Sequence, residues 1–241
     1  MQLIFDFPIN PHYGFDNFVV CAGNRAAYQF ASRLSTEDAT ENLLYIHGPE
    51  GSGKTHLLKA VAKAMGEREG LEEAPYFSFR EIDELYAGEF SAETASRLAE
   101  RFHGAPALLI DDLHLIPDRE SVRVELWQVF NDFYTSGRKI VITGLDPPKE
   151  LPAIDDHLVS RLLWGLVAKL DVSDDDSRRM IMKKLAEDRQ FVLPADVIDF
   201  LLVRIPRDIP SLLAALRQLE RHALASGRKV SVKLTKEALE L

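Results

Sequence analysis

A single cysteine, Cys21, occurs in the 241 residues of this chain, which excludes an internal disulfide and a cysteine-based zinc cluster. Its apolar surroundings mark it as a packed small residue rather than a reactive thiol. No apolar run approaches the roughly 18 residues that a membrane helix needs. The opening MQLIFDFPI carries neither a basic leader nor an apolar run of secretory length, so an intracellular, cytoplasmic chain is expected. Basic side chains are scarce as well: 29 Lys and Arg stand against 38 Asp and Glu, for a net charge of −9. Residues 1–170 hold 16 basic and 26 acidic side chains, and residues 171–241 hold 13 and 12. A surface that lives by phosphate contacts shows a basic stripe, so strong direct DNA binding is not expected. Arg178, Arg179, Lys183 and Lys184 share their segment with Asp174, Asp175, Asp176, Glu187 and Asp188 and read as a solvated helix face. Internal repeats and low-complexity segments are also absent.

What is present is concentrated in LLYIHGPEGSGKT, residues 43–55, where an apolar run ends in Gly48 and Gly53-Lys54-Thr55 follows after four residues. This is the phosphate-loop spacing G-x-x-x-x-G-K-[ST]. Gly48, Gly51 and Gly53 let backbone N–H groups turn inward around phosphate oxygens, and the helix beginning near Lys54 aims its positive end at the same anion. Lys54 is expected to reach the β and γ phosphates and Thr55 to hold Mg²⁺. With Pro49, Glu50, Ser52 and His56 these residues form the candidate site for ATP or ADP.

A second apolar strand, ALLIDDLHLI, ends in Asp111-Asp112. Taken alone, a pair of adjacent carboxylates is more often a solvated turn or a helix cap. Beside a phosphate loop, Asp111 becomes the candidate outer ligand of Mg²⁺, and Asp112 the candidate catalytic group that orients or deprotonates water.

Strand and helix patterns alternate along residues 13–172, which predicts an α/β core with a parallel sheet and helices on both faces. Helices are expected at about 24–34, 54–66, 81–86, 92–102, 121–135 and 154–163, and strands at about 43–47, 76–79, 107–110, 139–143 and 165–172. After Val172 helix follows helix, so residues 173–241 read as a small all-helical domain. Ser173 to Asp176 forms an S-x-x-D capping box for a helix to about 189. Further helices are expected at 195–203 and 210–225, with a short strand-like VSVKL at 230–234. Residues 1–12 form a leading peptide and linker.

The runs YGFDNFVVCAGNRAAYQFA, GPEGSGKTHLLKAV, LLIDDLHLI and DDHLVSRLLWGLVAKL resemble the ATPase core of the bacterial replication initiator DnaA, a member of the AAA+ superfamily. The likeness covers essentially the whole chain. It implies a P-loop AAA+ core followed by a helical lid, with nucleotide between them and adenine near Phe18, Val19, Val20 and Asn24. It also implies that Arg161, of the S-R pair, is an arginine finger acting on a neighbour's γ-phosphate, and it allows a homo-oligomer through head-to-tail contacts. From the residue alone, Arg161 reads as a surface arginine at a helix end.

Three departures shape the functional expectation. The chain stops where the initiator continues into its helix-turn-helix DNA-binding domain, so it is not expected to read an origin by itself. The polar sensing position after the fourth strand falls on Leu145, unless Asp146 turns inward to replace it. Pro210 takes the place of a phosphate-sensing arginine in the lid, with Arg207 and Arg217 as substitutes off the matching position. Slow hydrolysis by the isolated chain is the consequence.

Gln2-Leu3-Ile4-Phe5-Asp6-Phe7 resembles the peptide by which bacterial proteins dock on the DNA polymerase sliding clamp, and Hda proteins, the small DnaA-like regulators, open on such a peptide. Gln2, Leu3, Phe5 and Phe7 are the candidate partner-binding residues. Burying three apolar side chains gains roughly 1.5–3 kcal/mol each while ordering six residues costs roughly 1–2 kcal/mol apiece, so backbone hydrogen bonds at about 0.5–1.5 kcal/mol each must supply the surplus, and an affinity on the order of micromolar is expected. The implied partners are DnaA and the clamp. A competing expectation is an autonomous AAA+ ATPase that loads or remodels a nucleic-acid machine such as a helicase.

Overall fold

Strand β1 (Leu43–His47) is an uninterrupted apolar run because both of its faces are covered. The computed structural model describes residues 13–80, 102–151 and 154–241. Its chain divides into two units, the larger spanning Tyr13–Val172 and the smaller taking in Ser173–Leu241.

In the larger unit five strands form one parallel sheet, in the order β2 (Phe77–Ser78), β3 (Ala107–Asp111), β4 (Lys139–Gly144), β1 and β5 (Leu166–Lys169). Parallel neighbours require crossover connections, and among the described residues helices α2 (Lys54–Arg68), α3 (Glu120–Thr135) and α4 (Asp156–Leu162) lie between strands, while α1 (Arg25–Leu34) precedes the first of them. The period-2 geometry of the strands sorts side chains to opposite faces. Leu43 and Tyr45 pack with Ile140, Ile142, Phe130, Phe133, Leu158 and Leu162 on one face. Leu44 and Ile46 pack with Val141, Leu109, Ala27, Ala31, Leu57 and Leu58 on the other. The expected α/β architecture is therefore present. Residues 81–101 and 152–153, which include most of two expected helices, lie outside the described residues, as do Gln2, Leu3, Phe5 and Phe7.

The register of the sheet positions the site. Strands β1 and β4 pair in parallel from Leu43 with Ile140 to His47 with Gly144, and β3 pairs with β4 on its other side. The carboxyl ends of β1, β4 and β3 thus lie side by side at one edge, where ligands bind in open parallel sheets.

The smaller unit consists of α5 (Asp175–Asp188), α6 (Ala195–Arg204), α7 (Ile209–Ser226) and α8 (Val232–Leu239). Met182, Leu201, Leu212, Leu216, Leu219 and Leu234 are buried in it. Two expectations need correction here. The N-cap of α5 is Asp174, whose carboxylate accepts the Ser177 N–H at 2.8 Å, so the cap sits one residue beyond Ser173. Residues 230–234 are not a strand. Ser231 caps α8 by accepting the Leu234 N–H at 3.3 Å, and Leu234 and Ala238, four apart, face the interior as a helical stripe. Pro210 lies in the first turn of α7, where its missing N–H needs no partner. Arg207 reaches the Leu202 carbonyl at 3.2 Å and Asp175 at 3.4 Å, both within this unit. No helix among the described residues is long and apolar enough to cross a membrane.

Candidate functional site

The loop after β1 takes a shape that its glycines permit. Gly51 and Gly53 have φ of 72° and 102°, in the left-handed region that disfavours side chains. A Cβ on Gly48 would stand 2.3 Å from the Leu170 carbonyl oxygen, and one on Gly53 would stand 2.9 Å from the Phe18 ring. The loop therefore runs directly against Phe18. That ring stacks on Tyr28 at 5.8 Å and meets His56 edge-on at 5.2 Å, while His56 Nε2 lies 3.0 Å from the Gly14 carbonyl.

Asn24 is almost fully buried, and its side chain ties the preceding turn together. Its Oδ1 accepts the Cys21 N–H at 2.8 Å and its Nδ2 donates to the Val19 carbonyl at 2.9 Å. Val19 and Val20 are half-buried beside it. Gly23 completes the turn: its carbonyl accepts the Asp171 N–H at 2.9 Å, and a Cβ there would stand 2.0 Å from the Asp171 oxygen. The segment from Phe18 to Asn24 is thus fastened to the chain beyond β5.

Lys54 opens α2 with Nζ donating to the carbonyls of Gly48 and Pro49 at 2.7 and 2.9 Å. Burial lowers its pKa from the usual lysine value, against the pull of Asp112, Asp111 and Glu50. The Ser52 hydroxyl is buried in the loop without a hydrogen-bond partner among the described residues. A buried donor left over inside a glycine cradle at a helix N-terminus suits an anionic oxygen.

Asp111 is the best-braced acid of the site. Thr55 Oγ1 donates to its Oδ2 at 2.7 Å, and the Thr143 hydroxyl donates to its Oδ1. Burial raises the Asp111 pKa, and these two hydrogen bonds work against that shift. Thr55 and Asp111 thus offer two hard oxygens side by side, the kind of partial ligand set that Mg²⁺ completes with phosphate and water. No group of three His, Cys, Asp or Glu side chains among the described residues could hold a metal alone.

Asp112 follows in a left-handed conformation, φ 55° and ψ 46°, a backbone cost for a residue with a side chain. The turn directs its N–H to Thr143 Oγ1 at 3.1 Å. Its Oδ2 accepts Arg80 Nε at 2.9 Å, while Arg80 also reaches Glu50 at 3.1 Å. The hydrogen bond to Asp112 is the main reason the Arg80 pKa rises. The His114 Nδ1 lies 3.9 Å from Asp112 Oδ1, and burial lowers the His114 pKa, favouring the neutral ring.

The structure brings Phe18, the phosphate loop, Thr55, Asp111 and Asp112 to one edge of the sheet. Three partners at that edge were missing from the sequence reading: Thr143, Arg80 and His114. A hydroxyl at the end of an apolar strand was the available signal for Thr143. Leu145 is half-buried and engages the loop by its backbone, accepting the Gly48 N–H at 3.1 Å. Asp146 is exposed and uses its carbonyl to accept from Tyr45 Oη at 2.8 Å, so its carboxylate does not replace a sensor. Arg161 joins none of these contacts; it sits in the last turn of α4 against aromatic rings.

Residues 9–169 match the family model of the bacterial DnaA ATPase domain, and residues 175–239 match that of the Hda lid domain. The chromosomal replication initiator protein DnaA of Limosilactobacillus reuteri is 30% identical over 236 residues, 98% of this chain and 54% of that one. The chain thus spans about half the length of the curated relatives it matches. Among solved structures, domain III of the Thermotoga maritima replication initiation protein DnaA is similar with a TM-score of 0.79 and 31% identity, over 97% of this chain and 98% of that one. The AMPPCP-bound DnaA of Aquifex aeolicus gives a TM-score of 0.71 at 25% identity, over 89% and 67%.

Proposed function

Since the chain belongs to the bacterial DnaA ATPase-domain family, we propose that it is a nucleotide-binding regulator of replication initiation that stimulates ATP hydrolysis by DnaA. The observation that carries this reading is the pairing, in one chain, of a DnaA core with a lid of the Hda type. ATP or ADP sits on Lys54 and the loop from Gly48 to His56, with adenine against Phe18, Val19, Val20 and Asn24. The AMPPCP bound to the Aquifex relative supports a nucleotide of this class. Thr55 and Asp111, whose oxygens stand 2.7 Å apart, would hold Mg²⁺, which would neutralise phosphate charge.

In this reading the chain acts on a neighbour. Arg161 donates to the γ-phosphate of ATP held by DnaA, where charge-assisted hydrogen bonds stabilise the transition state. Gln2, Leu3, Phe5 and Phe7 dock on the sliding clamp, and residues 1–12, 13–172 and 173–241 serve as docking peptide, nucleotide-binding core and lid. Head-to-tail contact between two such cores gives Arg161 access to a neighbour's nucleotide.

The test is DnaA ATP hydrolysis measured with this protein, with and without clamp loaded on DNA. Arg161→Ala is expected to abolish stimulation and leave clamp and nucleotide binding intact. Gln2→Ala with Leu3→Ala is expected to remove clamp binding alone. Full stimulation by Arg161→Ala overturns the mechanism. Sustained turnover by the isolated chain above about 1 s⁻¹, the low end of ordinary enzyme rates, would favour an autonomous ATPase instead.

A further inference from the structure

Arg161, half-buried in the last turn of α4, is held by aromatic rings. Its guanidinium lies 4.1 Å from the centre of the Trp164 ring, 5.5 Å from that of Tyr134 and 5.8 Å from that of Trp127. Among the described residues it makes no hydrogen bond or ion pair through its side chain. Arg80 is the contrast, with its donors directed to Asp112 and Glu50. A guanidinium held against rings keeps its N–H donors available, whereas one held by carboxylates has spent them.

The rings are themselves fixed. Trp127, Phe130 and Tyr134 follow one face of α3 at spacings of three and four and stack nearly parallel, with centroids 6.4 and 5.9 Å apart and planes 6° and 10° apart. Trp164 follows α4 directly, its N–H bonded to the Arg161 carbonyl at 3.0 Å. The next residue, Gly165, passes so close to β1 that a Cβ would stand 2.4 Å from the Leu43 side chain. The backbone therefore has no freedom to carry Trp164 away, although its side chain is 59% exposed.

We infer that Trp164, supported by Tyr134 and Trp127, is a positioning residue that presents the Arg161 guanidinium edge-outward to an anion on another molecule, the γ-phosphate of the proposed function. The inference rests on that reading. A flexible arginine in water samples many rotamers; one shelved on rings enters the complex with its orientation set.

The experiment measures DnaA ATP hydrolysis against increasing concentrations of this protein. Trp164→Ala is expected to lower the maximal stimulated rate by roughly 2- to 30-fold, the range of a cation–π contact, with the half-maximal concentration unchanged. Trp164→Phe restores most of the rate. A structure-only readout accompanies it: in a Trp127→Phe chain, which leaves Trp164 as the sole tryptophan, Arg161→Ala must change the Trp164 fluorescence. Thermal melting checks that the variants are folded. Wild-type stimulation by Trp164→Ala, with Arg161→Ala inactive, overturns the platform and leaves the proposed function standing. A loss confined to the half-maximal concentration makes Trp164 a direct partner contact and overturns it equally. An unchanged fluorescence also overturns it, and full stimulation by Arg161→Ala removes the function and the platform together.

Discussion

Replacing Thr143 by valine keeps the shape of the side chain and deletes one hydroxyl that is used twice. That hydroxyl donates to Asp111 Oδ1 and accepts the Asp112 N–H at 3.1 Å, in a fully buried position at the end of β4. A hydrogen bond to a charged group contributes about 1.5–3 kcal/mol, and a buried N–H without a partner costs about 1–3 kcal/mol, so a loss of about 2.5–6 kcal/mol is expected. Each kcal/mol moves the melting temperature of a domain this size by about 2–4 °C, which places the fall on the order of 10 °C. The second effect is on titration. Burial already raises the Asp111 pKa, and the Thr143 bond is the largest influence holding it down. An acid whose folded pKa is raised favours the native state while protonated, and that contribution is lost as pH rises through the folded value. Metal binding runs the other way, since it needs the carboxylate and fails as pH falls. In Thr143→Val the pH below which Mg²⁺-dependent ATP binding fails should therefore move upward. Scanning calorimetry and ATP titration over a pH series measure both effects. A melting temperature and a pH midpoint indistinguishable from wild type would refute the reasoning.

Lys54→Ala should abolish nucleotide binding in calorimetry while melting as wild type, because the lost amine carries a burial penalty of its own; undiminished affinity would sink the phosphate-loop assignment. Gly23→Ala should lower the denaturant midpoint by an amount corresponding to about 2–3 kcal/mol, since its Cβ would stand 2.0 Å from a backbone oxygen that cannot yield cheaply. Asp174→Ala should weaken the lid at neutral pH. Hydrogen bonds from Ser177 lower the Asp174 pKa, so its contribution is present above the ordinary carboxylate range and lost as pH falls through the lowered value; the gap between mutant and wild-type melting must close in acid.

The parts of the site that could be read in the sequence are those whose logic is local. Glycine spacing specifies the loop before α2, and an apolar run specifies the strand that ends at Asp111. Apolar strands alternating with amphipathic helices specify a parallel sheet. Strand order has no such signature: nothing in the sequence places β4 between β1 and β3, and only that placement makes Thr143 a partner of Asp111. Arg80 escaped notice, although a strand was expected just before it, because its partners lie 30 and 32 residues away. The aromatic shelf of Arg161 reads in sequence as ordinary core periodicity on α3. Residues 230–234 misled by apolar alternation over five positions, a length at which a helical stripe looks the same.

The sheet order has a consequence for how the protein is made. Strand β1 leaves the ribosome among the first elements, yet both of its hydrogen-bonded neighbours, β4 and β5, come later than every other strand of the sheet. At about 5–20 residues per second, roughly 6–25 s pass between synthesis of His47 and Lys169, while an apolar ribbon waits with two open edges. Bonds such as Lys139 to the Ala39 carbonyl, 100 residues apart, close only in the last quarter of that interval. A nascent chain interrupted before β4 therefore carries the complete phosphate-loop sequence without the strand that would support it, and presents a chaperone or an aggregate with an apolar strand of the finished core.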